Sequence, residues 1–523
     1  MISITTKRLC LVSSLLYIFS ILALVSTDAT ASFEPSKDVS IVWKKPVQMF
    51  TRSNFHLVKI SSDKMVFSHF YKKEDNTQAI LLRCFTTDNL LLHWEQSIPF
   101  ILKNQKGYRH YVLQADNIIT YVVETFFENG DSTSILGLQV DAGTGTIITN
   151  KQLFAFNRVE ENRTKITFTT SPDTSFALFS RYDYSPYNED NKLEVRIEAM
   201  RIRKDLSSMF LDTFTVPLIK EFDKLPDWGM NNDEVYLDKS LPFITVDNAG
   251  SLYQVTYSSP NQVTTLQWPV GSKSPKSLSL PVNNVDVTNR DMTFYRPSGS
   301  IEPKHPNIIH IAGGCLANSK TITDRYFFAT FDFVTMKVTK QWQYTPAKNL
   351  LEQLIDDDEM DRFKVGRIEV SSVDSSVLLI CQKDLTKETY DVYMKASGQM
   401  RKTSPYTKYT TGDFLIFSVD NNGTVRWTNA IRNEAEDRTL TSYIKEDSVR
   451  RLIYYDNEND GFVQRTFNIK TGAISPLKKI AEVTGSDNVN INEFIWTDHN
   501  TIVTLVIEGD DEKDMHFIKL TGL

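Results

Sequence analysis

The chain predicts an all-β fold, a β-propeller of four-stranded antiparallel blades, and three observations carry that prediction. From Val39 onward nearly every segment alternates apolar and polar residues with period two and breaks at Asn, Asp, Gly or Ser, while helical spacing is scarce. The apolar runs are short and evenly spaced, which leaves sandwich, barrel or propeller as architectures. About 490 residues exceed one sandwich or small barrel, and the pattern repeats, so a ring of repeated sheets accommodates the length.

The clearest unit is Asp413 to Ile431, DFLIFSVDNNGTVRWTNAI, where alternation through Phe414, Ile416 and Val419 turns at Asp420-Asn421-Asn422-Gly423 and resumes at Val425 and Trp427. Looser copies place blades at about 55–98, 111–154, 165–214, 235–270, 307–342, 366–431, 442–477 and 492–520. Eight blades are preferred, with seven as the fallback if Val235 to Val270 makes no sheet of its own. The last unit runs out of chain after three strands. Its missing strand is assigned to 41–47, because Trp43 with Val47 repeats the outer-strand pattern of Trp94 with Ile98 and Trp427 with Ile431. Closure of this kind leaves no open sheet at the seam of the ring.

Two interruptions break the repeat. Asn349 to Met360 places Leu350, Leu351, Leu354 and Ile355 at helical spacing and predicts a short amphipathic helix. Pro217 to Glu234, with two prolines and Trp228, reads as an ordered loop.

The D-N-x-G-x-Val-x-Trp hairpin at Asp420 to Trp427 resembles the units of secreted bacterial β-propellers and, more faintly, those of quinoprotein-type propellers. The resemblance implies a propeller and export. The quinoprotein signature pairs Gly with Trp four residues on. Gly423 has Trp427, but most other units lack the pair, so a bound quinone is not implied.

Export is also written at the start of the chain. Lys7 and Arg8 precede an apolar run from Leu9 to Val25, and Ala29-Thr30-Ala31 offers a small-x-small cleavage site, so residues 1–31 read as a signal peptide and 32–523 as one propeller domain. The competing reading is an uncleaved anchor. No second apolar run approaches membrane length, so no stable membrane insertion is expected after removal of the leader, and the location is secreted or periplasmic. Losing Lys7, Arg8 and Asp28 takes the formal net charge from −7 to −8, which argues against nucleic acid as a partner. Cys84, Cys315 and Cys381 remain, each inside an apolar strand, and read as buried thiols.

No nucleophile elbow, phosphate-binding glycine loop or HExxH is present. His305 and His310 are the closest histidines, and Pro306 between them gives no defined ligand geometry. No cofactor is expected. Calcium is the one ion the sequence admits, because Asp456, Glu458 and Asp460 alternate ahead of Gly461 like the first half of a calcium loop; an EF-hand is excluded, since its closing Glu falls on Phe467. The alternative for that stretch is a solvated hairpin turn.

In a four-stranded blade the connections from second to third strand, and from blade to blade, leave the ring on the same side. Sorting the loops this way gathers Asp131, Asp190, Asp227, Asp357, Asp460 and Asp511, with Trp228, on one acidic face. The leading expectation is a non-catalytic binding or scaffold propeller whose acidic face takes a protein, glycan or cation. The alternative is a hydrolase or lyase with carboxylates around the central channel.

Overall fold

The structure, a computed structural model, describes residues 32–522 except 36–39, 44–46, 49–54, 73–77, 101–104, 128–131, 158–163, 186–193, 218–241, 260–261, 283–297, 317–322, 347–349, 351–362, 371–375, 390–391, 395–399, 403–405, 432–448, 457–460, 485–489, 509–513 and the single positions 116, 208, 273, 303, 421 and 499. Each blade is packed on both sides by its neighbours, so a central strand such as Gln78–Thr86 is buried almost continuously while an outer strand such as Lys337–Tyr344 alternates. Eight antiparallel blades result.

The first six blades each take their strands from one continuous stretch. They run Phe55–Lys59, Lys64–Lys72, Gln78–Thr86 and Leu92–Pro99 in the first, and Gln105–Ala115, Ile118–Phe127, Ser132–Asp141 and Ile147–Asn157 in the second. The third has Thr164–Thr170, Phe176–Ser185, Glu194–Arg203 and Met209–Pro217; the fourth has Phe243–Val246, Leu252–Ser259, Gln262–Trp268 and Lys276–Pro281. Ser298–Glu302, His305–Leu316, Thr323–Asp332 and Lys337–Tyr344 form the fifth, and Phe363–Val370, Val377–Thr389, Tyr406–Val419 and Val425–Ile431 the sixth. The fourth blade is a sheet of its own, so the count is eight rather than seven.

The N-terminal segment supplies strands to two blades. Ser40–Trp43 completes the eighth blade beside Asn490–Asp498, Thr501–Glu508 and Asp514–Thr521, with Ile41 opposite Leu520 and Trp43 opposite Ile518, which is the closure the sequence predicts. Ser32–Pro35 joins the seventh blade, Val449–Asp456, Gly461–Asn468 and Lys478–Thr484, with Phe33 opposite Val483. The corner after Gly461–Asn468 repeats the second blade's bonding: Asn468 N donates to Ala473 O and Gly472 N to Asn468 O, as Asp141 N does to Thr146 O and Gly145 N to Asp141 O. By that match Lys478–Thr484 is a fourth strand and Ser32–Pro35 lies outside it. The 442–448 part of the expected seventh hairpin lies outside the described residues.

Buried side chains meet at the junctions between blades. Val66, Ile80, Cys84, Tyr121, Leu136 and Val140 join the first and second blades, and Leu57, Phe67, Phe85, Val503 and Phe517 join the eighth back to the first. That second cluster closes the ring. The expected buried thiols are seen at Cys84 and Cys381, which are free and buried.

Four corners between third and fourth strands are capped by the residue that ends the third strand or directly follows it. Asp141 Oδ1 accepts from Thr144 N, Asp332 Oδ1 from Val334 N, Asp420 Oδ1 from Asn422 N and Asn468 Oδ1 from Lys470 N. At two of these corners a tryptophan of the preceding blade docks. Trp94 Nε1 donates to Ala142 O at 3.1 Å, and Trp427 Nε1 donates to Ile469 O at 2.8 Å. Each indole covers a glycine with positive φ, Gly145 at 75° and Gly472 at 73°. A left-handed residue beneath a ring leaves room only for glycine.

Candidate functional site

The antiparallel order sorts the connections into two ends. Tight turns such as Ser61–Asp63 and the capped corners occupy one end. The other end, called here the loop end, carries the chain from blade to blade and from second to third strands: Phe127 and Ser132, Ser185 and Glu194, Asp456 and Gly461, and Glu508 and Asp514 are the strand ends that present its connections.

Asp131, Asp190, Asp227, Trp228, Asp357, Glu458, Asp460 and Asp511 lie outside the described residues. Asp456 is described in its backbone alone, as the last residue of its strand and the register partner of Gly461. The helix expected over Asn349 to Met360 also falls outside them, save Leu350, which packs on the core between the fifth and sixth blades. Among the described residues no group of three or more His, Cys, Asp or Glu is arranged to hold a metal, and no helix is long and apolar enough to cross a membrane.

One element at the loop end was read from the sequence only as a long inserted loop. In the sixth blade, Val377–Thr389 and Tyr406–Val419 stay paired as far as Thr389 opposite Tyr406. The flanking strands stop earlier, at Phe363 opposite Lys383 and at Ile431 opposite Phe414. A two-stranded arm therefore extends past the blade, followed by a small hairpin of Val392–Met394 with Met400–Lys402. Its strands carry Lys383, Lys387, Arg401, Lys402 and Lys408 against Asp384 and Glu388, and Lys387 stands opposite Lys408. The described arm thus carries more basic than acidic residues at the loop end.

Groups with catalytic chemistry are sealed in the junctions. Ser68 Oγ lies 2.8 Å from His110 Nε2 between the first and second blades, a nucleophile-base distance. Both residues are fully buried, His110 Nδ1 has no partner, and His56 stands edge-on to the ring at 4.6 Å. The pair is shut off from solvent, and among the described residues no carboxylate bonds the imidazole. Burial drives the His110 pKa well below its ordinary value, with His56 and His69 adding to the shift, so the ring is neutral. Burial, with a smaller contribution from Arg83, takes His69 down to about 3.

His305 and His310 do not converge. His310 is buried, with Nδ1 3.0 Å from Thr330 Oγ1 and Nε2 3.4 Å from Glu302 Oε2; burial outweighs the carboxylate and lowers its pKa. His305 is exposed. On the innermost strand of the sixth blade, Glu369 takes Arg450 Nε of the seventh at 3.2 Å. Two innermost-strand carboxylates, Glu302 and Glu369, are thereby engaged in core contacts.

No protein-family model matches the chain, and no curated protein matches it. Solved structures do. The chain is similar to the WD40 domain of SCAP from fission yeast, at 10% identity and a TM-score of 0.43, over 95% of this chain and 99% of that one. It is similar to the β-propeller domain of the Trilobed protease from Pyrococcus furiosus, at 10% identity and a TM-score of 0.36, over 78% of this chain and 95% of that one. It is also similar to the polysaccharide lyase Uly1, at 10% identity and a TM-score of 0.40, over 91% and 99%. These neighbours are propellers and an enzyme alike, and no activity follows from them.

Proposed function

We propose that the chain is an exported, non-catalytic binding propeller that uses the loop end of its ring to take a cationic partner: a basic protein surface, a glycan bridged by a cation, or a metal cation. The observation that carries this reading is the sorting of connections, because the strand ends flanking residues 128–131, 186–193, 457–460 and 509–513 all stand at the loop end, and those stretches are acid-rich. Like charges on one side reinforce one another and raise the local concentration of cations. Asp131, Asp190, Asp227, Asp357, Asp460 and Asp511 are the carboxylates we assign to this face, with Trp228 as an apolar contact; calcium on Asp456, Glu458 and Asp460 belongs to the same reading. Engagement of Glu302 and Glu369 with His310 and Arg450 favours binding over a hydrolase or lyase at the channel. Export rests on the leader, with Lys7 and Arg8 ahead of the apolar run and Ala29-Thr30-Ala31 as the cleavage site.

The test is binding of polylysine to the mature chain as salt is raised. Association should slow as the screening length shortens, from about 10 Å at 0.1 M. Changing Asp131, Asp460 and Asp511 together to Asn should weaken binding about tenfold with the melting temperature unchanged. Equal binding by the triple variant removes the reading.

A further inference from the structure

The corner end of the ring carries an apolar belt. Every exposed large hydrophobic side chain among the described residues sits there. Each of the first five blades contributes at its third-to-fourth corner: Leu92 is 53% exposed, Ile148 51%, Leu211 49%, Val270 43% and Val334 71%. Equivalent corners of equivalent blades stand at one height and one radius, so the belt is a flat arc rather than a groove. The described corners of the sixth and seventh blades, Asn422–Thr424 and Lys470–Ala473, are polar, which gives the arc two ends. An apolar surface grouped in this way marks an interaction site, whereas single exposed residues do not.

Charge along the arc indicates what covers it. The turns and corners of the first two blades carry Asp63, Asp88 and Asp141 against Lys59 and Lys64, with Lys59 turned to Thr497 O and Lys519 of the eighth blade 3.9 Å from Asp88. Those of the third carry Arg203 and Lys204 against Asp173 and Asp205. Those of the fourth and fifth carry Lys276, Lys304 and Lys337 against Asp332, while Asp247 is buried and Glu302 is turned to His310. The arc is therefore acidic at one end, balanced in the middle and basic at the other. We propose that the belt is the contact between two copies of this chain, stacked corner end to corner end about a two-fold axis through the third blade. That axis lays the first blade on the partner's fifth and the second on the partner's fourth, so acid meets base twice while apolar corners meet between them. Anionic lipid fits the arc less well, because hydrogen bonds from Ser61 and from Thr144 hold the Asp63 and Asp141 carboxyls in the charged form. Both loop ends stay free in the stacked pair.

The experiment is sedimentation velocity on the mature chain from low to tens of micromolar protein. A concentration-dependent dimer is expected. The variant Leu92→Glu/Ile148→Glu/Val334→Glu should be monomeric throughout with an unchanged melting temperature, since all three side chains are exposed. Lys304→Asp with Lys337→Asp should raise the dissociation constant at least about tenfold, and adding Asp63→Lys with Asp88→Lys should restore it. A wild-type chain that stays monomeric overturns the proposal. So does a dimer that all of these variants leave intact, or a monomer whose belt instead carries it onto uncharged phosphatidylcholine vesicles.

Discussion

The indole of Trp427 lies over Gly472 of the next blade, where a Cβ would sit 2.6 Å from the ring. Gly472 also has φ of 73°, so Gly472→Ala combines backbone strain with a clash against a ring tied down by its bond to Ile469 O. A loss of about 2–4 kcal/mol is expected. Urea denaturation of the variant measures it, and Gly271→Ala is the control, because its φ is 76° but nothing lies within 4 Å of a Cβ there. Similar losses in the two variants would mean that tryptophan docking adds nothing beyond backbone strain.

Deleting residues 32–48 removes an outer strand from two neighbouring blades at once. The exposed edges of Lys478–Thr484 and Asp514–Thr521 should lower the melting temperature by about 5 °C or more and promote aggregation. Deleting only 32–35 should cost much less, since the seventh blade then keeps its own fourth strand. Differential scanning calorimetry of the two truncations separates these outcomes.

Acid should loosen the ring at the junctions that bury histidine. His69 titrates near 3 in the folded chain and near 6.5 when unfolded, so the unfolded chain takes up a proton as pH falls below about 6.5 while the folded chain does not. Stability is therefore full above that pH and declines toward pH 3. By pH 5 the loss due to His69 reaches about 2 kcal/mol. His110 and His310 shift in the same direction and add to the slope. Urea unfolding at pH 8 and pH 5 should show a smaller difference for His69→Gln than for the parent chain; an equal difference would place the acid response elsewhere.

Cys84 and Cys381 should resist modification in the native chain. Burial raises the Cys84 thiol to about 11 and carries the Cys381 thiol well above its ordinary value, so neither presents a thiolate at neutral pH. Peptide mapping after iodoacetamide, with and without denaturant, should find both labelled only when the chain is unfolded. Labelling of native Cys84 would mean that the junction between the first and second blades opens.

The ring was legible in the sequence because short apolar strands and turn residues recur at even spacing; outer strands such as Lys337–Tyr344 keep period two, while central strands packed on both faces, such as Gln78–Thr86, read as continuous apolar runs. Closure by Ser40–Trp43 was legible because Trp43 repeats a pattern set by Trp94 and Trp427. Ser32–Pro35 was not, since four residues cannot display a period and nothing in SFEP names a partner at Ala481 to Thr484. The arm of the sixth blade escaped for a different reason. Its run of Thr, Lys and Tyr lacks the apolar alternation that a buried face imposes. Gly423 and Trp427 suggested a pairing within one unit, whereas the indole lies on Gly472 of the next, a relation that neighbouring positions do not encode. The acidic loops were visible as composition; which of their carboxylates converge depends on how separate blades are placed, and no local pattern carries that.

The pairing of Ser40 with Thr521 makes ring closure wait for strands more than 470 residues apart in the chain. The strands that emerge first from the ribosome find their partners only after nearly the whole chain has followed, so blades one to six are complete in sequence before the ring can shut. A chain that stops before Asp514 leaves Ser40–Trp43 without its partner and the eighth blade unfinished, and one that stops before Lys478 leaves Ser32–Pro35 without its partner as well. Such products should be drawn to chaperones and proteases as open rings.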